Sequence, residues 1–188
     1  MRSILICDDE PIILRSLKNK LKELGFDEIL ECGDGAKAVE LALSRIPDIA
    51  ILDVAMPGMD GISAAREIRK KLKIPIILLT ACCDPDTVKR AGECGIAAFL
   101  AKPLREQDLW PAIELAFAHA EEIEALKEQV EDLKETIESR KVIEKAKGVL
   151  MRSHGLSEPE AFRRMQKLAM DKRKSMRQIA EAILLTES

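Results

Sequence analysis

Tyrosine is absent from this 188-residue chain, and aromatic residues together make up 3% of it. Any core must therefore be aliphatic. Cysteine is sparse and odd in number: Cys7, Cys32, Cys82, Cys83 and Cys94, with no pair at zinc-finger spacing. These residues read as small buried apolar groups in a reducing compartment. Cys83 falls in an expected loop, and nothing near it points to redox chemistry. The only histidines are His119 and His154, far apart in sequence, and His154 reads as a helix-end residue rather than a ligand. No apolar run approaches the roughly 18 residues of a membrane span. The stretch Ile4-Leu5-Ile6-Cys7 is too short for the core of a signal peptide. The expectation is a soluble, cytoplasmic chain without membrane contact.

What is present, up to about residue 104, is an alternation of short apolar runs and amphipathic stretches. Strands are expected at 3–7, 27–32, 48–53, 75–80 and 97–100, and helices at 11–24, 35–45, 61–72 and 86–93. Such alternation specifies an α/β fold, a doubly wound five-stranded parallel sheet with helical crossovers. Ligands of such sheets bind beyond the C-terminal strand ends. Asp8, Asp9, Asp53, Thr80 and Lys102 all fall there. Three carboxylates at one sheet edge suit a hard cation such as Mg²⁺, which binds few carboxylates together with water and phosphate oxygens. With charge offset in this way, one carboxylate is free to attack phosphorus, a known role of Asp. Lys102 is placed to neutralise a phosphate oxygen and Thr80 to hydrogen-bond another, while the small Ala81 leaves room for the group. Glu10 reads as solvated surface, and Asp60-Gly61 as a turn and helix cap.

These residues form an ordered set: Asp8-Asp9, Asp53-x-x-Met56-Pro57-Gly58-Met59-Asp60-Gly61, Thr80-Ala81 and Gly95-x-x-x-Phe99-Leu100-x-Lys102-Pro103. Over about 1–118 the chain resembles a response-regulator receiver domain, of flavodoxin-like fold. The resemblance implies phosphorylation of Asp53 by a partner histidine kinase. It also implies Mg²⁺ held by Asp8, Asp9, Asp53 and the backbone carbonyl of Ala55, with Phe99 swinging inward as Thr80 engages the phosphate. Cys7 stands where most members have a branched apolar residue. Ala55 and Cys82 are poor at orienting an attacking water, so a comparatively long-lived phosphoryl state is expected. Such chemistry is self-modification, not turnover of an outside substrate, and the chain is not expected to be an enzyme.

Residues 106–140 contain no Gly, and their only Pro is Pro111, expected in a first helical turn. Ile123, Leu126, Val130, Leu133 and Ile137 step by three and four as a heptad seam, with Glu122 and Lys127 at facing g and e positions of a parallel dimer. Residues 119–139 hold eight acids against two lysines, whereas 140–177 hold twelve basic residues against four acids. The basic stretch divides into three amphipathic segments: one ending near Ser153, a second starting at Ser157, and a third starting near Ser175. The expected domains are thus 1–118, a coiled-coil linker at 119–139, and a three-helix bundle at 140–188. Phe162, the bundle's only aromatic, is expected in its core, so any nucleic-acid contact would lean on Arg and Lys rather than on base stacking. Gly148 reads as a close-packing position.

Ile143-Glu144-Lys145-Ala146-Lys147-Gly148-Val149-Leu150-Met151, with Gly155-Leu156-Ser157, Glu160-Ala161-Phe162, Ala169-Met170 and Ser175-Met176-Arg177-Gln178-Ile179-Ala180, resembles the signature of the ANTAR family of RNA-binding antiterminator modules. The resemblance implies binding to paired RNA stem-loops, which would keep an overlapping terminator from forming. Lys147, Arg164, Lys167, Lys172 and Arg173 are the candidate RNA contacts. The competing reading is a phosphoacceptor adaptor whose basic bundle binds an acidic protein or DNA; the bundle lacks a clear helix-turn-helix recognition pair, which argues against DNA.

Overall fold

The computed structural model describes residues 2–81 and 85–186. They divide into two compact units, Met1–Glu124 and Ala125–Ser188. Cys82 and Cys83 lie outside the described residues.

The first unit alternates strand and helix: β1 (Ser3–Cys7), α1 (Pro11–Glu23), β2 (Glu28–Cys32), α2 (Gly35–Arg45), β3 (Ile49–Asp53), α3 (Gly61–Arg69), β4 (Ile76–Thr80), α4 (Pro85–Glu93), β5 (Ala98–Ala101) and the first part of α5 (Glu106–His154). All strand pairings are parallel, in the order β2-β1-β3-β4-β5. β3 and β4 are buried at every position, as unbroken Ile/Leu runs in a two-sided parallel sheet should be. On one face Leu5, Cys7, Leu52 and Leu78 pack with Ala38 and Ala42 of α2 and Ile62, Ala65 and Ile68 of α3. On the other, Ile6, Ile51, Ile77 and Leu79 pack with Leu17 and Leu21 of α1 and Leu109 and Ile113 of α5. The strand order reverses between β1 and β3, the switch point where such sheets open a crevice at their carboxyl ends.

Most elements match expectation to within one residue, and two depart further. α3 ends at Arg69, not 72, and the chain turns through Lys71 and Leu72, whose N–H groups both donate to the Ile68 carbonyl. Pro75 lies just ahead, and a residue before proline is pushed out of the helical region. Pro111 is inside α5 rather than in its first turn, because the helix already begins at Glu106.

The second unit holds the rest of α5, α6 (Glu158–Lys172) and α7 (Met176–Thr186). α5 stops at His154 because Gly155 takes φ +65°, a left-handed value that favours glycine. Ser157 caps α6, with Glu160 Oε2 accepting from its N–H at 2.8 Å. A matching reciprocal pair opens α7: Gln178 N–H donates to Ser175 Oγ at 3.2 Å, and Ser175 N–H donates to Gln178 Oε1 at 3.1 Å. Ala146, Leu150, Ala161, Met165, Ile179, Ala180 and Ile183 form the core. Phe162, expected there, is 39% exposed. Ala161 and Met165, four apart, take the inward face of α6, and the next residue along the helix is turned away from it. The boundary between the units, at Glu124/Ala125, falls within uninterrupted helix. Among the described residues no helix is long and apolar enough to cross a membrane.

Candidate functional site

β1 and β3 are neighbours, so their carboxyl ends bring Asp8 and Asp53 together across the switch point. Asp8 is fully buried, Asp53 is 2% exposed and Thr80, at the end of β4, is 4% exposed; Asp9 faces solvent. Carboxylate oxygens of Asp8, Asp9 and Asp53 lie within 4.8 Å of one another. Lys102 follows β5, and its N–H donates to the Thr80 carbonyl at 2.8 Å. Its ammonium lies 2.8 Å from Asp8 Oδ2 and 2.9 Å from Asp53 Oδ1, with Glu10 Oε1 further off at 3.6 Å. Glu10 is otherwise exposed, as expected. The Asp8 Oδ2 contact is an ion pair and not a directed hydrogen bond, so this buried oxygen keeps acceptor capacity. Asp8 Oδ1 accepts from Glu10 N–H at 2.9 Å.

Burial pushes the Asp53 carboxyl above its ordinary pKa; Lys102 works against this, and the charges of Asp8 and Asp9 add to it. For Lys102, burial works to lower the pKa, but its close contacts with the Asp8 and Asp53 carboxylates outweigh it and the ammonium is held above the usual lysine value. One cation is thus clamped between two buried acids, in a site with room for further positive charge.

The loop after β3 is pinned to this site. Val54 N–H donates to Leu79 O at 2.9 Å and Gly61 N–H to Val54 O at 3.1 Å. Asp60 caps α3 by accepting from Ser63 N–H at 2.6 Å, and Arg90 of α4 meets its other oxygen at 2.7 Å. Ala55 sits exposed in the same loop, and Ala81 is exposed just past Thr80. Phe99 is half-buried opposite Leu78, against the core on the α2–α3 face. Behind the acids, Cys7 Sγ donates to Asp34 O at 3.2 Å; contact with Cys32, burial and nearby carboxylates push its thiol far up. Cys7 and Cys32 are buried free thiols, and Cys94 is partly buried.

In the second unit Arg164, Lys167, Lys172 and Arg173 are exposed, with no ion-pair partner among the described residues. Lys147 differs. Its side chain is 9% exposed, and its ammonium is held by Glu144 and Glu158 at 2.8 and 2.7 Å, with the Phe162 ring centroid 6.0 Å away. It ties α5 to α6 and is not a free cation for a ligand. Gly148 is not a close-packing position: a Cβ there would meet only Arg152 Nη1 at 3.6 Å, an ordinary contact. Lys145 and Arg152, counted in the sequence only as part of the basic stretch, flank Gly148 and are likewise exposed and unpaired among the described residues. Their spacing about Gly148 on a continuous helix is the signal that marks them.

The fold and its clustered acids define a receiver-type regulatory unit followed by a basic helical unit. The profile of the response regulator receiver domain matches residues 4–114, and that of the ANTAR domain matches 131–184. The chain belongs to the response-regulator receiver family and, with its ANTAR domain, is a two-component regulator acting as an RNA-binding antiterminator. It is 47% identical over 185 residues to the transcriptional regulatory protein PdtaR of Mycobacterium tuberculosis (strain H37Rv), covering 98% of this chain and 90% of that one. Among solved structures it resembles the signal receiver domain of a modulated diguanylate cyclase from Desulfovibrio desulfuricans G20 (TM-score 0.60, 30% identity, 64% of this chain and 97% of that one). It also resembles the receiver domain of an HD domain-containing protein from Pseudomonas fluorescens Pf-5 (TM-score 0.60, 29% identity, 64% and 98%).

Proposed function

We propose that Asp53 accepts a phosphoryl group from a sensor histidine kinase and that this controls RNA stem-loop binding by a cytoplasmic homodimer that is not itself an enzyme of outside substrates. The observation that carries the reading is Lys102 bridging Asp8 and Asp53, an arrangement that gives an incoming phosphoryl group a cation beside its acceptor. The donor set fits a hard divalent cation: three carboxylates converge, and Asp8 Oδ2 is buried without a directed hydrogen bond. Asp8, Asp9 and Asp53, with the Ala55 carbonyl, would hold Mg²⁺, which supplies charge neutralisation for the carboxylates and the phosphoryl oxygens. Thr80 and Phe99 would report the phosphate to the β4–β5 edge, with Ala81 leaving it space. Phosphorylation then shifts the population toward the binding-competent state.

Dimerisation is supported by the seam. Leu126, Val130, Leu133 and Ile137 are 53, 50, 62 and 53% exposed, a row of apolar residues at heptad spacing with Ile123 at its start. Pairing two chains there would present two bundles to paired stem-loops at high effective concentration. Leu133→Glu should yield a monomer by light scattering and weaken binding to a two-hairpin RNA at least about tenfold; a Leu133→Glu dimer of wild-type strength would rule the seam out.

Arg164, Lys167, Lys172 and Arg173 remain the exposed candidates for RNA contact; Lys147 is committed to its two glutamates. The test of the whole reading is a gel shift on tandem-hairpin RNA, duplex DNA and random RNA, with and without phosphodonor. Wild type should prefer the hairpins and bind them more tightly with donor, and Asp53→Asn should lose only the response to donor. Identical behaviour of the two proteins would remove the coupling; no hairpin preference would remove the RNA assignment.

A further inference from the structure

We propose that the groove between α5 and α7 centred on Gly148 seats the sugar-phosphate backbone of an RNA loop, with Lys145 and Arg152 each holding a phosphate. The proposal deepens the RNA-binding reading and rests on it. It starts from a residue the fold does not need. Glycine in a helix interior lowers stability relative to alanine, and Gly148 lies in the helical part of α5 without a positive φ. Gly61, by contrast, is forced by contact with the Asp53 backbone. At Gly148 a Cβ would find open space except for Arg152 Nη1 at 3.6 Å. What remains to justify the missing side chain is close approach by something outside the unit.

The surroundings say what approaches. Glu144, Lys145, Gly148, Val149, Arg152 and Leu184 line an open groove of about 490 Å³. Lys145, Gly148 and Arg152 are spaced i, i+3 and i+7 and so share one helix face, with the cations about 10 Å apart along the axis. Neither cation forms an ion pair among the described residues, although Lys145 feels the charge of Glu138, two turns back along α5. The groove's one carboxylate, Glu144, is engaged by Lys147 at 2.8 Å. A visitor therefore meets net positive charge on both sides of a bare stretch of helix. Val149 and Leu184 add an apolar shelf for a ribose or an extruded base. Self-association through this face would set Lys145 and Arg152 against their own copies, which charge repulsion opposes.

The experiment compares full-length wild type with Gly148→Ala, Gly148→Leu and Lys145→Gln/Arg152→Gln on a tandem-hairpin RNA, reading affinity against salt, thermal midpoint and dimer mass. Gly148→Ala should keep or slightly raise the midpoint, since alanine is the better helix former and its methyl has room. It should lower RNA affinity about tenfold, one mismatched close contact, while keeping the wild-type salt slope. Gly148→Leu should lose more. The double glutamine variant, altered only at exposed positions and so safe for folding, should reduce the salt slope by about 2. Wild-type affinity in a folded Gly148→Leu protein, or an unchanged slope in the double variant, would overturn the groove assignment while leaving RNA binding intact. Loss of dimer mass with retained affinity would overturn it in favour of a protein interface. Absence of hairpin binding by wild type would instead remove the RNA reading on which it rests.

Discussion

Gly61→Ala should lower the melting temperature of the first unit by about 10 °C and cut phosphoryl uptake at Asp53 at least about tenfold. A Cβ at Gly61 falls inside van der Waals contact of the Asp53 carbonyl oxygen, 2.8 Å from the carbonyl carbon and 3.3 Å from Val54 Cα. All three are backbone atoms, so no side chain can swing aside. Gly61 also donates its N–H to Val54 O at 3.1 Å, which closes the loop between β3 and α3. Relief must come from moving the end of β3 or the start of α3. Overpacking of this kind costs about 3 kcal/mol at the upper end of its usual range. The strand that moves carries Asp53, whose carboxylate is held 2.9 Å from Lys102. Calorimetry and incorporation from a small-molecule phosphodonor test both parts together. A Gly61→Ala protein that melts and is phosphorylated like wild type would show that the loop has slack that these contacts do not suggest.

The same geometry explains why so much of this site could be read from the chain. Each of Asp8, Asp53 and Thr80 ends a run of Ile and Leu long enough for one strand, and Lys102 follows the next. In an all-parallel sheet every such end lies on one edge, so polar residues far apart in sequence must meet. Helix stops were legible wherever backbone chemistry fixed them, as at Gly155, and less so where they depended on packing, as at Arg69. What stayed hidden was set by contacts between helices. Lys147 looked like one more cation because its second acid, Glu158, comes from the next helix. Phe162 looked apolar enough for the core, but Ala161 and Met165 already fill that face. Whether Gly148 is crowded depends on how far α5 and α7 stand apart there, which no local pattern encodes.

Lys102→Met should destabilise the first unit by about 3 kcal/mol at pH 8 without divalent cation, and the loss should shrink as the pH falls. Methionine is one atom shorter but replaces most of the aliphatic stem, so the change is chiefly one of charge. In the wild type the ammonium is 2.8 Å from Asp8 and 2.9 Å from Asp53. Removing it leaves two carboxylates side by side in a buried site. The sign of the pH dependence follows from Asp53. Burial already raises its folded-state pKa above the unfolded value, with Lys102 working the other way; without Lys102 it must rise further. Between its unfolded and folded pKa values such a group binds more protons folded than unfolded, so stability falls as pH rises through that window. The penalty is complete above the folded pKa of Asp53 and is relieved as acid protonates it. Lys102 itself adds no slope there. Its folded pKa is raised, so its contribution is fully present below its unfolded value, well above this range. Millimolar Mg²⁺ should recover much of the loss at pH 8, because a cation held by Asp8, Asp9 and Asp53 offsets the same repulsion. Thermal melts of both proteins from pH 5 to pH 8, with and without Mg²⁺, decide the matter. An equal loss at every pH, unmoved by Mg²⁺, would mean that Lys102 acts by packing and that the acids are already relaxed without it.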